Sequence, residues 1–431
     1  MSTIRPELAR CDRSDPRVRA VTSTASGFTE PFELIDLRIE ADYFSKIVTW
    51  DARNTIGQDS ISTRRVATSA ASPLCVQVEE FTHAFVGKTR ANRRIEGKGD
   101  PVERNTMNAA VLHTLGKPPR CEQFPEPIAG DGEVIVYVHA ASLKPIDKQL
   151  ASGSHYASLR ELPLVCGSDG VGHLGDGQRV FFGGTRPPYG AMAQRTVVRR
   201  AFGFPVPESV DDETAAALPN PGVSAWLSLA FRARLVPGES VLILGATGVT
   251  GKLAVKIAKL LGAGRVVAAG RNQQVLSTLH QLGADATIRL DAPAQELGEA
   301  FAREAGDSDF QIVIDYVWGQ PTEVFLAATT RKEFAVVTSE TRLVQVGESA
   351  GPTISLPAAV LRSTALTILG TAGIPPRNIL VDALQQVMAH AASGEVHVET
   401  ERIPLADIEN AWAARPTRPQ IGNHPITAGQ T

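Results

Sequence analysis

Residues 241–272 read VLILGATGVTGKLAVKIAKLLGAGRVVAAGRN, and the fold of the chain turns on this stretch. Residues 241–244 are a continuous apolar run, the pattern of a strand covered on both faces of a parallel sheet. Gly245, Gly248 and Gly251 come next. They permit a tight turn and leave no side chain between the backbone and whatever sits above it. A helix starts inside that turn. Leu253, Ala254, Ile257, Ala258 and Leu261 share one of its faces, while Lys252, Lys256 and Lys259 occupy the other. A second apolar run at 265–269 completes a strand–helix–strand unit. The helix opens with unpaired backbone N–H groups and the positive end of its dipole, so a pyrophosphate is its natural ligand. A glycine triplet alone is a weak signal. Between a strand and a helix, in a unit of this length, it is a strong one.

The end of the second strand selects the dinucleotide. An NAD site carries an acidic residue there, roughly 20 residues beyond the turn, to accept from the ribose 2′-hydroxyl. Gly270 lies 19 residues past Gly251, and Arg271 and Asn272 come next, so no acid occupies the position. A guanidinium suits a 2′-phosphate because it stays charged and bonds two oxygens at once. The competing reading is an ordinary solvated loop arginine. The expected cofactor is NADP(H). Gly245, Ala246, Thr247, Gly248, Val249, Thr250 and Gly251 would hold its pyrophosphate, and Gly270, Arg271 and Asn272 its ribose end.

Composition bounds the rest. A chain of 431 residues can form two or three domains with substantial cores. A hydrophobic share of 43% and a net charge of −3 leave no electrostatic footprint for nucleic acid. The four cysteines, Cys11, Cys75, Cys121 and Cys166, are scattered, which points to neither a disulfide framework nor a clustered zinc site. The start, MSTIRPELARCD, has no apolar signal core, and the uncharged stretch 214–231 is broken by Pro219 and Pro221. A cytoplasmic protein without a membrane span is expected.

Residues 1–106 differ in character from the rest of the chain: they hold only 5 of the 37 glycines, and 60–106 shows no sustained period. Residues 32–50 can form a helix. The segment reads as a poorly ordered extension that adds little to catalysis, or as sequence upstream of a natural start at Met107. Its 15 acidic residues count against a transit peptide. From Met107 the pattern becomes strand and turn, beginning with MNAAVLHTLG.

Several motifs then appear in order: MNAAVLHTLGKPP, AASLKPIDKQLASG, PLVCGSDGVG, DGQRVFF, AALPNPGVSAWLSL, the glycine turn, LGADATI, IVIDYVWG, RLVQVGESAG, LTILGT and PLADIENAWA. Together they resemble the medium-chain dehydrogenase/reductase superfamily, in its zinc-free quinone oxidoreductase branch, from Met107 to about Ala414. The resemblance implies an α/β fold. A β-rich, GroES-like substrate domain takes 107–223 and returns at 371–431. A doubly wound parallel-sheet Rossmann domain takes 224–370, with strands at 241–244, 265–269, 312–316, 343–346 and 366–369. It also implies a homodimer joined through the edge strand at 366–369. Two departures stand out. Lys144 replaces the usual asparagine of the substrate loop. The C-terminus, TRPQIGNHPITAGQT, stands where an apolar strand is expected, and its loss would cost the substrate domain a sheet partner.

Metal-dependent alcohol dehydrogenases of the superfamily hold zinc with cysteine and a Gly-His-Glu element. Here that element reads Gly167-Ser168-Asp169, and the neighbouring pair Cys166 and His173 is too few for a tetrahedral site. Without a Lewis acid, alcohol oxidation gives way to reduction of an already electrophilic quinone or enone. The implied reaction is hydride transfer from NADPH to a quinone or α,β-unsaturated carbonyl. Tyr156 is the candidate proton donor, with a cleft-lining aromatic and a proton from water as the alternatives. Ser224 stands where a cofactor-contacting threonine is common, and helix-start capping is its competing role. Gly347, with Glu348, borders the nicotinamide, and Tyr189 is a lesser cleft candidate. Asp147 and Asp169 occupy structural positions.

Other readings stay open: an enoyl-thioester reductase, or a non-catalytic NADPH-binding sensor on the same fold. The short-chain dehydrogenases, which GATGVTG also resembles, need Tyr-x-x-x-Lys. None of Tyr43, Tyr137, Tyr156, Tyr189 and Tyr316 has lysine four positions on.

Overall fold

A computed structural model describes residues 105–306, 309–330, 340–371, 373, 375–414 and 420–423. The expectations for the N-terminal segment, including the helix over 32–50, lie outside the described residues.

The described chain opens in a β-rich lobe. Strand β1 (Thr106–Leu112) pairs antiparallel with β2 (Arg120–Pro125) and, through its end, with β4 (Leu164–Val165). Its apolar run is unbroken because both faces are covered: Met107, Ala109 and Val111 meet Phe124, while Ala110 and Leu112 face the larger core of the lobe. Strand β3 (Glu133–Leu143) is the spine of the second sheet and pairs with β5 (Asp169–Leu174) and β7 (Arg195–Arg199). Strands β6 (Arg179–Gly183) and β8 (Gly203–Pro205) extend that sheet beyond β5. Helix α1 (Pro145–Ser152) follows β3 directly, with proline in its first turn where a missing N–H costs nothing.

Helices α2 (Asp212–Ala217) and α3 (Pro219–Trp226) carry the chain into the second lobe. Its sheet has six parallel strands: β9 (Ser240–Leu244), β10 (Arg265–Gly270), β11 (Ala286–Arg289), β12 (Ile312–Asp315), β13 (Thr341–Gln345) and β14 (Leu366–Gly370). The spatial order is β11-β10-β9-β12-β13-β14. This is the doubly wound Rossmann order, which reverses direction between β9 and β12 and opens a crevice at the carboxyl ends of those strands.

Val241, Leu242, Ile243 and Leu244 are all 0% exposed. Val241 and Ile243 pack against Leu253 and Ile257 of α4 (Val249–Leu260). Leu242 and Leu244 pack on the other face against Leu297 and Phe301 of α5 (Ala294–Ala305) and Phe325 of α6 (Gly319–Thr329). Burying four such side chains contributes on the order of 10 kcal/mol of transfer free energy, which makes β9 the axis of the lobe. In α4 the burial is wider than one stripe: Val255 is also 0% exposed, because α3 covers the helix from outside.

After α7 (Arg377–Ala392) the chain returns to the β-rich sheet. Strand β15 (Glu401–Pro404) runs parallel to β16 (Gln420–Asn423), which pairs antiparallel with Ala140–Leu143 of β3. The C-terminal strand is therefore present, in a polar QIGN segment. Ladder hydrogen bonds come from the backbone, so pairing did not require the apolar pattern that the sequence lacks. Among the described residues no helix is long and apolar enough to cross a membrane.

Candidate active site

The glycine turn sits at the carboxyl end of β9. Gly245 adopts φ +89°, and a Cβ there would meet Val317 Cγ1 at 3.0 Å and Tyr316 Cβ at 3.1 Å. The Gly245 and Ala246 N–H groups both donate to the Ala269 carbonyl, at 2.9 and 2.8 Å, tying the turn to β10. Gly248 is the N-cap of α4 and no side chain caps that helix. The opening N–H groups are thus left to a ligand or solvent rather than to an Asp or Ser. At Gly251 a Cβ would collide with the Gly245 carbonyl oxygen, and at Gly270 with the Thr247 methyl group. Bare backbone at these points lets the helix, the turn and the end of β10 close on one another, with Val249 and Thr250 in the first turn.

Beyond Gly270, Arg271 is exposed at the strand end. Asn272 acts locally. Its Oδ1 accepts from the Val275 N–H at 3.1 Å and caps the helical turn Gln273–Leu276. An uncapped helix start, a bare Gly270 and an exposed guanidinium fit an anionic dinucleotide.

The opposite wall is organised by a residue that the sequence reading missed. Asp315, 0% exposed, ends β12 and accepts from the Val317 and Trp318 N–H groups, each at 2.8 Å, and from the Thr322 hydroxyl at 2.6 Å. Burial raises its pKa against the pull of these bonds. Its carbonyl accepts from the N–H groups of Val346 and Gly347, at 2.8 and 3.1 Å. Asp315 thereby sets both the turn beneath Gly245 and the loop that carries Gly347. The signal was the lone acid ending the apolar run IVID.

Lys144, at the head of α1, is buried, and its ammonium donates to Asp169 Oδ1 at 2.7 Å, Ser142 Oγ at 2.9 Å and the Ser142 carbonyl at 3.0 Å. Asp147 Oδ2 lies 3.5 Å from it and accepts from the Lys144 backbone N–H at 2.9 Å; Asp147 Oδ1 takes the Ser168 N–H at 3.0 Å. Burial opposes the charge on Lys144, but the two carboxylates outweigh it and hold its pKa above the ordinary value. The lysine thus fastens the start of α1 to β5.

Tyr156 stands on the loop after α1, 90% exposed, its ring 4.1 Å from that of His155. Ser224 lies within α3 rather than at a helix start, its carbonyl accepting from the Ser228 hydroxyl at 2.7 Å. The start of α3 has no side-chain cap, so the capping role expected for Ser224 is not filled there; Asp211 caps the preceding helix α2, accepting from the Thr214 N–H at 2.7 Å. Tyr189 is engaged elsewhere: its ring meets Phe124 edge-on at 5.9 Å and its hydroxyl donates to the Glu126 carbonyl at 3.3 Å.

A family model described as zinc-binding dehydrogenase matches residues 249–390. Quinone oxidoreductase-like protein 2 of Bos taurus is 28% identical over 273 residues, spanning 61% of this chain and 74% of that protein. A probable NADPH-dependent quinone reductase of Emericella nidulans is 28% identical over 221 residues, 49% of this chain and 61% of the relative. The solved quinone oxidoreductase of Thermus thermophilus, described with its NADPH complex, superposes with a TM-score of 0.62 at 28% identity, covering 74% of this chain and 100% of that one. In sequence and fold the chain is similar to the quinone oxidoreductase-like members of the medium-chain dehydrogenase/reductase superfamily.

The metal question turns on donors. Among the described residues no group of three or more His, Cys, Asp or Glu side chains is placed to hold a metal ion. Cys166 is buried and its thiol is pushed up to about 12 by burial. His173 bonds not to Cys166 but to His139, Nδ1 to Nε2 at 2.7 Å, and His139 Nδ1 lies 3.0 Å from Asp212 Oδ2.

Proposed function

We propose that this chain is a medium-chain dehydrogenase/reductase, an NADPH-dependent reductase that delivers a hydride to a quinone or an α,β-unsaturated carbonyl without a metal ion. The observation that carries the reading is the combination at the end of β10: an uncapped helix start, a bare Gly270, and Arg271 where an NAD site carries an acid.

Bound NADPH supplies the hydride. Gly245, Ala246, Thr247, Gly248, Val249, Thr250 and Gly251 form the turn that holds the pyrophosphate, through the N–H groups that open α4, and Arg271 takes the 2′-phosphate. Asn272 shapes that end by capping the next turn. Gly347 and Ser224 border the nicotinamide end. Tyr156 gives the proton that follows the hydride to an enone; a quinone takes its proton from water, which the exposure of the loop allows. Two observations favour metal independence. Asp169 is already bonded to the Lys144 ammonium, and His173 is bonded to His139 rather than turned to Cys166. On this reading residues 107–223 with 371–431 are the substrate domain and 224–370 the cofactor domain. Two copies join through β14, one of the two edge strands of the parallel sheet.

The test is a paired thermal titration of the full chain with NADPH and NADH, where stabilisation scales as RT ln(1 + [L]/Kd). It is followed by NADPH oxidation with quinones and enones. A preference for NADPH that is lost in Arg271→Ala, with turnover of either acceptor, is expected. Equal binding of both cofactors sinks the 2′-phosphate assignment. Binding without turnover of any acceptor sinks the reductase and leaves a sensor.

A further inference from the structure

Arg271 sets one guanidinium against a doubly charged phosphate, and the sheet brings a second beside it. Strand β11 runs parallel to β10 with Arg289 in register with Gly270, and the Leu290 N–H donates to the Gly270 carbonyl at 2.9 Å. Residues paired across a ladder share a face. Ile288 and Leu290 are buried in the cluster that contains Leu242 and Leu244, so Arg289 between them leaves the sheet on the other face. That is the face on which Thr247 of the glycine turn lies over Gly270. Thr247, Gly270 and Arg289 therefore form a row across the carboxyl ends of the strands, with Arg271 at its edge.

The guanidinium of Arg289 is oriented by a two-point ion pair, Nε to Asp291 Oδ1 at 3.1 Å and Nη2 to Asp291 Oδ2 at 2.8 Å. The same pairing places a guanidinium on the carboxylate of Asp291, two positions further along the chain. Left bare, Asp291 would repel a 2′-phosphate and suit a 2′-hydroxyl instead. Arg289, first, and Arg271, further off, hold that carboxyl below the usual range.

We propose that Arg289 is a second guanidinium of the 2′-phosphate subsite, and that its pairing with Asp291 masks a carboxylate that would otherwise favour NAD(H). The proposal rests on the NADP(H) reading above. The competing description is a solvated ion pair between residues two apart, of little energetic weight.

The test uses the full chain and calorimetric titration with NADPH, NADH, adenosine 2′,5′-bisphosphate and AMP, so the readout does not depend on turnover. Arg289→Gln is expected to weaken NADPH and the bisphosphate by about tenfold or more, while NADH and AMP, whose 2′-hydroxyl suits the unmasked Asp291, bind no more weakly than to the parent. Adding Asp291→Asn to that variant is expected to restore part of the loss, because the unmasked carboxylate is gone. A melting curve for each variant excludes misfolding. If Arg289→Gln binds NADPH like the parent while Arg271→Ala does not, the second guanidinium is refuted and the NADP(H) reading stands. If the parent binds NADH as tightly as NADPH and Arg271→Ala changes neither, the underlying reading falls with it.

Discussion

The glycine turn after β9 and the Lys144 cluster at the head of α1 are built in opposite ways. The turn is made by omission: Gly245, Gly251 and Gly270 withhold side chains so that backbone groups can meet each other and a ligand. The cluster is made by accumulation, with one ammonium and two carboxylates taken out of water together. In the turn the components lie within one strand–helix–strand unit. In the cluster Lys144 reaches Asp169, 25 positions along. A site built from backbone fails when something is added, and a buried ionic site fails when something is taken away.

Removal at the cluster carries the largest expected effect. Lys144→Met leaves Asp147 and Asp169 buried without their counter-ion and is expected to cost about 3–5 kcal/mol in denaturant unfolding. Lys144→Met combined with Asp169→Asn should recover part of that. A single variant as stable as the parent would show that the carboxylates are not held as charged partners.

Addition at the turn comes next. Gly251→Ala drives a methyl group at the Gly245 carbonyl, at a cost of roughly 1–3 kcal/mol. Stabilisation by NADPH should disappear with it, and a variant that still responds to NADPH would break the contrast between the two regions.

A third prediction concerns the histidine pair, a partly buried polar cluster between the two extremes. The hydrogen bond from His139 and the Arg179 guanidinium hold the Asp212 carboxyl down at about 2. Its folded pKa lies below the unfolded one, so its contribution is present above the ordinary carboxylate value and lost as pH falls through about 2. The melting temperature of the parent should therefore drop more steeply in that acid range than that of Asp212→Asn. Parallel curves would show that Asp212 carries none of the acid sensitivity.

The smallest effect is expected at Tyr316, whose hydroxyl is buried and meets no hydrogen-bond partner among the described residues. Burial raises its pKa. Tyr316→Phe deletes an unsatisfied group, so stability should stay within about 0.5 kcal/mol of the parent or rise. A loss well beyond that would reveal a partner for the hydroxyl.

Much of the parallel-sheet lobe is legible in the sequence alone. The runs at 241–244 and 265–269 reappear as β9 and β10 to within a residue, because a strand buried on both faces writes itself as an unbroken apolar run. The β-rich lobe is harder to read. The strand Gln420–Asn423 has no apolar pattern, since its place between β15 and β3 rests on backbone pairing. The site shows the same division. Ser224 was placed by its neighbours in sequence and offered a cap, but the helix begins at Pro219, with no side-chain cap from Ser224. Asp315 was passed over because two of its partners, the N–H groups of Val346 and Gly347, become neighbours only when β12 and β13 are side by side.

By itself the sequence determined the turn, the helix that leaves it and the absence of an acid after Gly270. Each of these depends on a few adjacent residues whose backbone preferences act locally. Only the tertiary structure decided where Lys144 sends its charge, that a polar C-terminal segment closes the β-rich sheet, and that Arg289 stands beside Gly270. Those facts depend on which distant segments pair and in what register. That pairing is settled by burial summed over the whole sheet, and no short stretch of chain carries it.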